Sequence, residues 1–236
     1  MISHHIQAIF FDAAGTLFTV NGSVGAIYAN LAREYDKDVS VTDLEAGFRR
    51  SFAAAPPMAF PGVAVERTST LEKQWWRNLV HQVFSTLGAF PRFDDYFEAL
   101  FEFFARAETW ALYPETLATL EQLKRRGFTI GVISNFDSRL LGLLDGLGIS
   151  PFVDSVVIST RAGAAKPARE IFAQALTHVG VGAESAIHIG DNYEADVVGA
   201  QAAGLTPVFV DRRAQGQEST DYLTIGDLSS LLKILE

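Results

Sequence analysis

The chain has 236 residues, which is enough for one large domain or two small ones with a substantial buried core. Hydrophobic residues make up 48% of it and its formal net charge is −9, so it is not a disordered chain, and nucleic acid and anionic membranes are not expected partners. The absence of cysteine excludes disulfides, thiol catalysis and zinc sites built on thiolates. No apolar run approaches the ~20 residues of a membrane helix and no signal core follows the N-terminus, so we expect a cytoplasmic protein, monomeric by default.

The first predicted element is a short buried strand over residues 6–11. Asp12 follows this strand directly, and Gly15 comes three residues later. A carboxylate at the carboxyl end of a buried parallel strand lies in the crevice where open α/β sheets bind ligands. The alternative is that Asp12 only caps the next turn, because short motifs produce many false matches.

A block of helices is predicted next, between about residues 18 and 111. Residues 18–23 are expected to be a turn-rich link, and residues 56–62 a loop. Apolar residues at helical spacing predict four helices, the second of them starting at a capping box formed by Thr42 and Glu45. The aromatic stripes on these helices are expected to form a packed core.

From Pro114 onward, strands and helices alternate. The predicted strands lie within residues 128–133, 153–158, 186–189 and 207–210. This alternation predicts an α/β fold, with a doubly wound, Rossmann-like parallel sheet that is covered on both faces. The helical block is then an insertion after the first strand. We therefore predict a core domain over residues 1–17 and 112–236 and an all-helical cap domain over residues 18–111.

Polar side chains follow four of the predicted strands: Asp12, then Ser134 and Asn135, then Lys166, then Asp191 and Asp196. The carboxyl ends of parallel strands share one edge of the sheet, so these side chains are expected to converge. Two carboxylates, Asp12 and Asp191, suit a hard cation such as Mg²⁺, and Asp196 would support a ligand or a metal-bound water.

Lys166 supplies the local positive charge that a negatively charged protein needs in order to hold a phosphate. Ser134 and the backbone N–H groups after it would donate to phosphate oxygens. Each of these residues also has a structural interpretation. Ser134 would be a helix cap, Lys166 a solvated side chain, and Asp196 an acid in the first turn of a helix.

The four motifs resemble, in order, those of the haloacid dehalogenase (HAD) superfamily; they cover residues 12–16, 132–135, 166–167 and 190–196. The insertion after the first motif resembles a type-one cap, as in subfamily IA. Four longer stretches are similar to the rhythmically-expressed-gene-2-like subfamily: residues 44–50, 74–76, 132–139 and 190–193.

The resemblance implies a role for each motif residue. Asp12 would be the nucleophile, forming an aspartyl-phosphate, and would also bind Mg²⁺ together with the backbone carbonyl of Ala14 and the carboxylate of Asp191. Asp196 would not bind the ion directly but would support the ligand Asp191 from the next layer of residues.

The remaining motif residues would handle the substrate. The resemblance implies that Ser134 binds the phosphoryl group and that Lys166 stabilises its charge. Thr16 and Asn135 are expected at the substrate, and the cap would open and close over the site.

The chain departs from the family pattern at Ala14, where HAD phosphatases usually carry a second aspartate that protonates the leaving group. General acid–base help is typically worth ~10²–10⁴-fold, so we expect weak or specialised activity unless another group substitutes. His81, Glu108 and Tyr113 are candidates for that role.

The leading hypothesis is a Mg²⁺-dependent HAD-type hydrolase that acts on a small phosphorylated metabolite. Acyl or aryl phosphates would need little leaving-group protonation. The alternatives are a catalytically silent module that binds a phosphorylated ligand or a partner, a metal-independent dehalogenase of 2-haloacids, and a phosphonatase-type C–P hydrolase. The last needs a cap lysine, for which the insertion offers only Lys37 and Lys73, in no matching context.

Overall fold

The computed structural model describes residues 5–212 and 222–235. The strands are β1 (Ala8–Phe11), β2 (Phe18–Val20), β3 (Trp110–Leu112), β4 (Thr129–Ser134), β5 (Ser155–Ile158), β6 (Ala186–Gly190), β7 (Thr206–Val210) and β8 (Leu223–Ile225). Six of them form one parallel sheet in the order β5-β4-β1-β6-β7-β8. The sheet therefore grows outward from β1 in both directions, which is the doubly wound arrangement.

The helices are α1 (Val24–Glu34), α2 (Val41–Ala54), α3 (Val65–Phe84), α4 (Phe93–Phe103), α5 (Thr116–Arg125), α6 (Arg139–Gly146), α7 (Ser159–Ala162), α8 (Arg169–Val179), α9 (Gly199–Ala202) and α10 (Leu231–Ile234). A π-helical segment, Tyr193–Val198, precedes α9. Within the described ranges, no helix has both the length and the apolar character that crossing a membrane requires.

Helices cover both faces of the sheet because its strands alternate in the direction of their side chains. Ile9 and Phe11 of β1 belong to the buried cluster on the side of α5, α6 and α10. Ala8 and Phe10 point to the opposite face, into the cluster that includes α8 and α9. The predicted α/β doubly wound fold is confirmed.

Two short pairings differ from the sequence-based expectation. Phe18–Val20, predicted as part of a turn-rich link, pairs antiparallel with Trp110–Leu112 at the far end of the insertion. The stretch between residues 18 and 111 is therefore not wholly helical, because a two-stranded ribbon closes it. The pairing of β2 with β3 depends on contact between segments distant in sequence. The second difference is β8, a short edge strand that pairs with β7 and that the sequence pattern does not indicate.

The four long helices of the insertion bury their apolar faces against one another, as the helical spacing predicts. The predicted capping box at Thr42 is wrong. Ser40 caps α2 by accepting a hydrogen bond from the N–H of Asp43 at 3.1 Å. Glu45 instead accepts from the N–H of Gly25 at 2.7 Å, which ties the start of α1 to α2.

A buried carboxylate joins the insertion to the sheet domain. Glu72 of α3 is only 3% exposed, and its Oε1 accepts hydrogen bonds from Ser138 N at 3.1 Å, Ser138 Oγ at 2.8 Å and Thr160 Oγ1 at 2.5 Å. One turn further along α3, Trp76 Nε1 donates to Asp137 Oδ2 at 2.6 Å. Helix α3 is thereby held against the segments that follow β4 and β5.

We expect Glu72→Ala to destabilise the protein, because it leaves the half-buried donors of Ser138 and the buried hydroxyl of Thr160 without their acceptor. The free energy of unfolding should fall by about 2 kcal/mol. Glu72→Gln keeps an acceptor oxygen at this place and should lose less than half as much. Urea denaturation of the three proteins measures the difference, and equal midpoints for wild type and Glu72→Ala would contradict the assigned role.

Candidate active site

Two carboxylates meet where the strand order reverses. Asp12 follows β1, and Asp191 follows Gly190 at the end of the neighbouring strand β6. The N–H of Asp12 donates to the carbonyl of Ile189 at 2.8 Å, which extends the pairing of the two strands to their last residues. This is the crevice in which doubly wound sheets bind ligands, as the sequence predicts.

The third carboxylate, Asp196, comes from the π-helical segment Tyr193–Val198. Asn192 caps this segment by accepting from the N–H of Ala195 at 2.9 Å. Helical segments of π type occur frequently at functional sites, because the extra residue per turn redirects side chains. Here the turn carries Asp196 back beneath the end of β6, where it is buried.

Oxygen atoms of Asp12, Asp191 and Asp196 lie within 4.8 Å of one another. Two glycines make this approach possible. Gly15 has a φ of +97°, and a Cβ at that position would overlap the carboxylate of Asp191. A Cβ at Gly190 would overlap the side chain of Asp196 in the same way.

Lys166 lies between two of these carboxylates. Its Nζ is 2.7 Å from Asp12 Oδ1 and 2.5 Å from Asp196 Oδ1, and its side chain is only 2% exposed. Ser134 Oγ donates to the same Oδ1 of Asp12 at 3.1 Å. The interpretations of Lys166 as a solvated side chain and of Ser134 as only a helix cap are therefore wrong.

Asn135 and Thr16 are placed differently from the other predicted site residues. The amide of Asn135 lies at the cavity wall, but it is engaged with the backbone of Lys166, accepting from the N–H at 2.7 Å and donating to the carbonyl at 2.9 Å. Asn135 thus positions Lys166. Thr16 is fully buried away from the cavity, and its hydroxyl has no partner among the described residues.

A buried histidine completes the network, although the sequence pattern does not single it out. His188 lies inside β6, and its Nε2 is 2.9 Å from Asp196 Oδ1. Asp196 Oδ2 accepts from the N–H of Asn192 at 3.0 Å. The available signal was a polar residue inside a predicted buried strand, where a side chain without a partner would be costly.

The carboxylates carry unequal pKa shifts. Asp191 is exposed as a residue, but its carboxyl is partly enclosed, and this desolvation, with further contributions from Asp12 and Asp196, raises its pKa to about 7. Burial also raises the pKa of Asp12, although Lys166 opposes the shift. The pKa of Asp196 is lowered, because Lys166 and His188 outweigh the effect of its burial. The cluster therefore contains more negative charge than its single lysine balances.

The two basic groups are shifted in opposite directions. Burial alone would lower the pKa of Lys166, but Asp12 and Asp196 raise it, so the ammonium stays charged. Burial lowers the pKa of His188, so its ring is neutral at pH 7. Since Asp196 is ionised, Nε2 of His188 carries the proton and donates it to the carboxylate.

A cavity of about 490 Å³ opens above this cluster. Its floor includes Asp12, Ala14, Ser134, Lys166 and Asp191. Its opposite end is formed largely by aromatic side chains of the insertion, among them Phe48, Phe52, Trp75, Trp76 and Phe101. A ligand with a polar and an apolar end would match this division.

The cavity lining also tests the candidate replacements for the missing acid at Ala14. His81 packs against Phe93 on an exposed part of the insertion, and the Arg212 guanidinium lies 3.4 Å from the ring of Tyr113. Neither these two residues nor Glu108 lines the cavity. None of the three candidates therefore reaches the cavity above Asp12.

Comparison with known proteins gives consistent matches along the chain. Residues 6–204 match a family model described as haloacid dehalogenase-like hydrolase. Human haloacid dehalogenase-like hydrolase domain-containing protein 3 is 34% identical over 207 residues, covering 87% of this chain and 82% of that protein. A phosphoserine phosphatase of Thermus thermophilus is 37% identical over 129 residues, covering 53% of this chain and 52% of that protein.

Solved structures agree with the fold. The crystal structure of a HAD phosphatase from Thermococcus onnurineus has a TM-score of 0.69 at 22% identity, covering 98% of both chains. The structural neighbours also include L-2-haloacid dehalogenases, so the fold alone does not distinguish the two reactions. The family match over residues 6–204 and the human relative, which is matched over 82% of its length, show that the chain belongs to the haloacid dehalogenase-like hydrolase family.

Proposed function

We propose that this protein is a Mg²⁺-dependent phosphohydrolase that acts on a small phosphorylated molecule, with Asp12 as the nucleophile. The observation that carries the proposal is the setting of the Asp12 carboxylate. Ser134 Oγ and Lys166 Nζ both contact Oδ1, and no other hydrogen bond to this carboxylate is found in the described part of the chain. Oδ2 is thereby left as the attacking oxygen.

The donor set at the cavity floor fits a hard divalent cation. Three carboxylates face one lysine, and the raised pKa of Asp191 reflects repulsion as well as burial. Asp196 is committed to Lys166 and His188. Asp12, Asp191 and the carbonyl of Ala14 would therefore hold the ion, as oxygen ligands suited to Mg²⁺. When bound, Mg²⁺ would neutralise charge on the phosphoryl oxygens.

The chain's own residues would carry the phosphoryl transfer. Asp12 attacks phosphorus, a bond forms between its oxygen and phosphorus, and the bond to the leaving oxygen breaks with both electrons going to that oxygen. Ser134 Oγ and the Lys166 ammonium are placed to donate to the transferring group. Water then attacks the same phosphorus and releases the Asp12 carboxylate and inorganic phosphate.

The leaving oxygen receives no proton from position 14, because Ala14 has no acidic group. Among the described cavity residues, Tyr28 offers a phenol, but burial raises its pKa, so it holds its proton tightly. An efficient general acid has a pKa near the working pH. Weak or specialised activity is therefore expected, with preference for leaving groups that are stable as anions.

The family match supports this proposal, and so does the partial similarity to a phosphoserine phosphatase. We further propose the division into a core of residues 1–17 and 112–236 and a type-one cap of residues 18–111, with subfamily IA, rhythmically-expressed-gene-2-like membership. The packing of α1 to α4 as a separate cluster supports this division. A silent binding module would share these contacts and would differ only in lacking turnover.

Replacing the nucleophile tests the chemistry directly. Asp12→Asn should reduce phosphate release from acetyl phosphate with Mg²⁺ to background, because an amide cannot form the covalent intermediate. The substitution is nearly isosteric, so the circular dichroism spectrum should be retained. Phosphate release that persists in this variant would contradict the assignment, and a wild type that turns over nothing would favour the binding module.

Restoring an acid at position 14 tests the explanation for weak activity. We expect Ala14→Asp to increase hydrolysis of glycerol phosphate, whose alkoxide leaves poorly, by up to about 10²–10⁴-fold. Ala14→Asn is the matched control, since it adds similar bulk without a titratable group. An equal gain in both variants, measured as released phosphate, would show that proton transfer is not what Ala14 lacks.

The raised pKa of Asp191 predicts a pH-dependent stability. The pKa of the Asp191 carboxyl is about 7 in the folded protein, against an ordinary value of 3.8 in the unfolded chain. The folded state therefore loses stability as the pH rises through this range, because the carboxyl ionises less readily in the folded protein. In metal-free buffer, Asp191→Asn should therefore melt higher than wild type at about pH 8, with the difference vanishing near about pH 4. Added Mg²⁺ should raise the Tm of wild type and leave that of Asp191→Asn nearly unchanged.

The control for this experiment is Glu194→Gln, which removes an exposed acid three residues further along. It should follow the wild-type melting curve at both pH values and retain the response to Mg²⁺. A Tm for Asp191→Asn that equals that of wild type at about pH 8, with equal stabilisation by Mg²⁺, would contradict the proposed metal site.

A further inference from the structure

The end of the cavity away from Asp12 is lined mainly by aromatic side chains. We define the aromatic wall as the lining residues Phe48, Phe52, Trp75, Trp76, Phe101 and Trp110. Phe48 and Phe52 are stacked with centroids 5.5 Å apart, and Phe52 meets Trp75 edge to face at 6.1 Å. A leaving group that extends from the phosphoryl site toward the insertion would contact these rings.

The aromatic wall offers ring surfaces and few hydrogen-bond donors. Each of its indole N–H groups already donates to a protein oxygen, Trp75 to Pro56 O at 3.0 Å, Trp76 to Asp137 Oδ2 at 2.6 Å and Trp110 to Phe104 O at 3.1 Å. A sugar or polyol placed here would lose hydrogen bonds to water without replacing them. The wall therefore favours an apolar leaving group.

The aromatic wall also provides no free positive charge for a second anionic group. Arg139 is the cationic side chain at this end among the described lining residues. Its guanidinium is paired with Asp137, with Nη2 2.6 Å from Oδ2 and Nε 2.9 Å from Oδ1, and Nη1 donates to Phe101 O at 2.9 Å. It also lies 3.9 Å above the Phe101 ring. A second phosphate or a carboxylate would find no unpaired cation here.

One ring of the wall retains a large accessible surface. Phe52 is 47% exposed although it lines the cavity. An exposed large aromatic residue at a site lined by other aromatics is typical of a surface that a ligand covers. Stacking of an aromatic ligand would bury this ring without disturbing the packing behind it.

The chemistry of the leaving group points in the same direction. Without an acid at Ala14, the leaving oxygen departs as an anion. Phenolic hydroxyls have a pKa of about 10, far below the ~16 of water or an alcohol, so an aryl oxide leaves much more readily than an alkoxide.

We propose that the substrate is a phosphate monoester of an uncharged aromatic hydroxyl compound, with its ring against the aromatic wall and its phosphate at Asp12. This inference rests on the proposed function. The P–O(aryl) bond breaks as the P–O(Asp12) bond forms, and the aryl oxide leaves with the electron pair. Water then cleaves the P–O(Asp12) bond. One of its protons ends on the aryl oxide, and the other stays on the released phosphate.

Four phosphorylated probes separate ring binding from leaving-group stability. Phenyl phosphate has both an aromatic ring and a stable leaving anion, whereas benzyl phosphate has the ring but leaves as an alkoxide. Acetyl phosphate has a stable leaving anion without the ring, and glycerol phosphate has neither. Released phosphate is measured with Mg²⁺ for each compound. We expect phenyl phosphate to have the highest kcat/KM, benzyl phosphate a similar KM but a much lower kcat, and acetyl phosphate a higher KM.

Truncating the exposed ring tests the contact itself. Phe52→Ala should raise the KM for phenyl phosphate about three- to tenfold relative to the KM for acetyl phosphate, through loss of aromatic contact. Phe52→Tyr keeps a ring and should restore most of this difference. Val65→Ala, an exposed apolar residue of α3 that does not line the cavity, is the control and should behave as wild type.

The outcomes distinguish this inference from the function on which it rests. Turnover of acetyl phosphate that Asp12→Asn abolishes, together with a kcat/KM for phenyl phosphate no higher than that for glycerol phosphate, would overturn the aromatic substrate and leave the phosphohydrolase intact. An unchanged KM ratio in Phe52→Ala would overturn the role of the wall. No phosphate release from any probe would overturn both.

Discussion

The arrangement of the site depends on one buried ammonium group. Lys166 Nζ lies between Asp12 and Asp196, and its positive charge favours the ionised form of both carboxylates. A buried carboxylate without such a partner would take up a proton, because its desolvation is not compensated. Asn135 and His188 support this interaction from either side, the first by holding the Lys166 backbone and the second by donating to Asp196.

The insertion complements this charged floor with an opposite environment. Glu72 and Trp76 hold α3 against the segments that follow β4 and β5, and the charge of Arg139 is paired with that of Asp137. What remains for a ligand is an aromatic surface facing a polar, phosphate-sized site. Ala14 supplies no acid, which favours a leaving group that is stable as an anion, and the described residues of the wall supply no free cation, which independently favours an uncharged one.

The sequence predicted the architecture well where the signals were local. Continuous apolar runs identified the long strands, and helical periodicity identified α1 to α4, because each pattern reflects burial of one segment. The misses share a cause. Phe18–Val20 forms a strand only because Trp110–Leu112 lies beside it, and α2 is capped by Ser40 although Thr42 offers the same chemistry. The strand depends on a segment far away along the chain, and Glu45, which the predicted capping box would use, accepts instead from the N–H of Gly25 in α1.

The sequence by itself determined which groups stand at the carboxyl ends of the strands, since Asp12 and Asp191 directly follow their strands and Ser134 is the last residue of its strand. The tertiary structure alone decided how those groups are used. It placed His188 behind Asp196, engaged the Asn135 amide with the Lys166 backbone, left His81, Glu108 and Tyr113 out of the cavity, and paired Arg139 with Asp137. The physical reason is that hydrogen bonding, burial and charge compensation depend on distances in space, and the fold sets these between residues far apart along the chain.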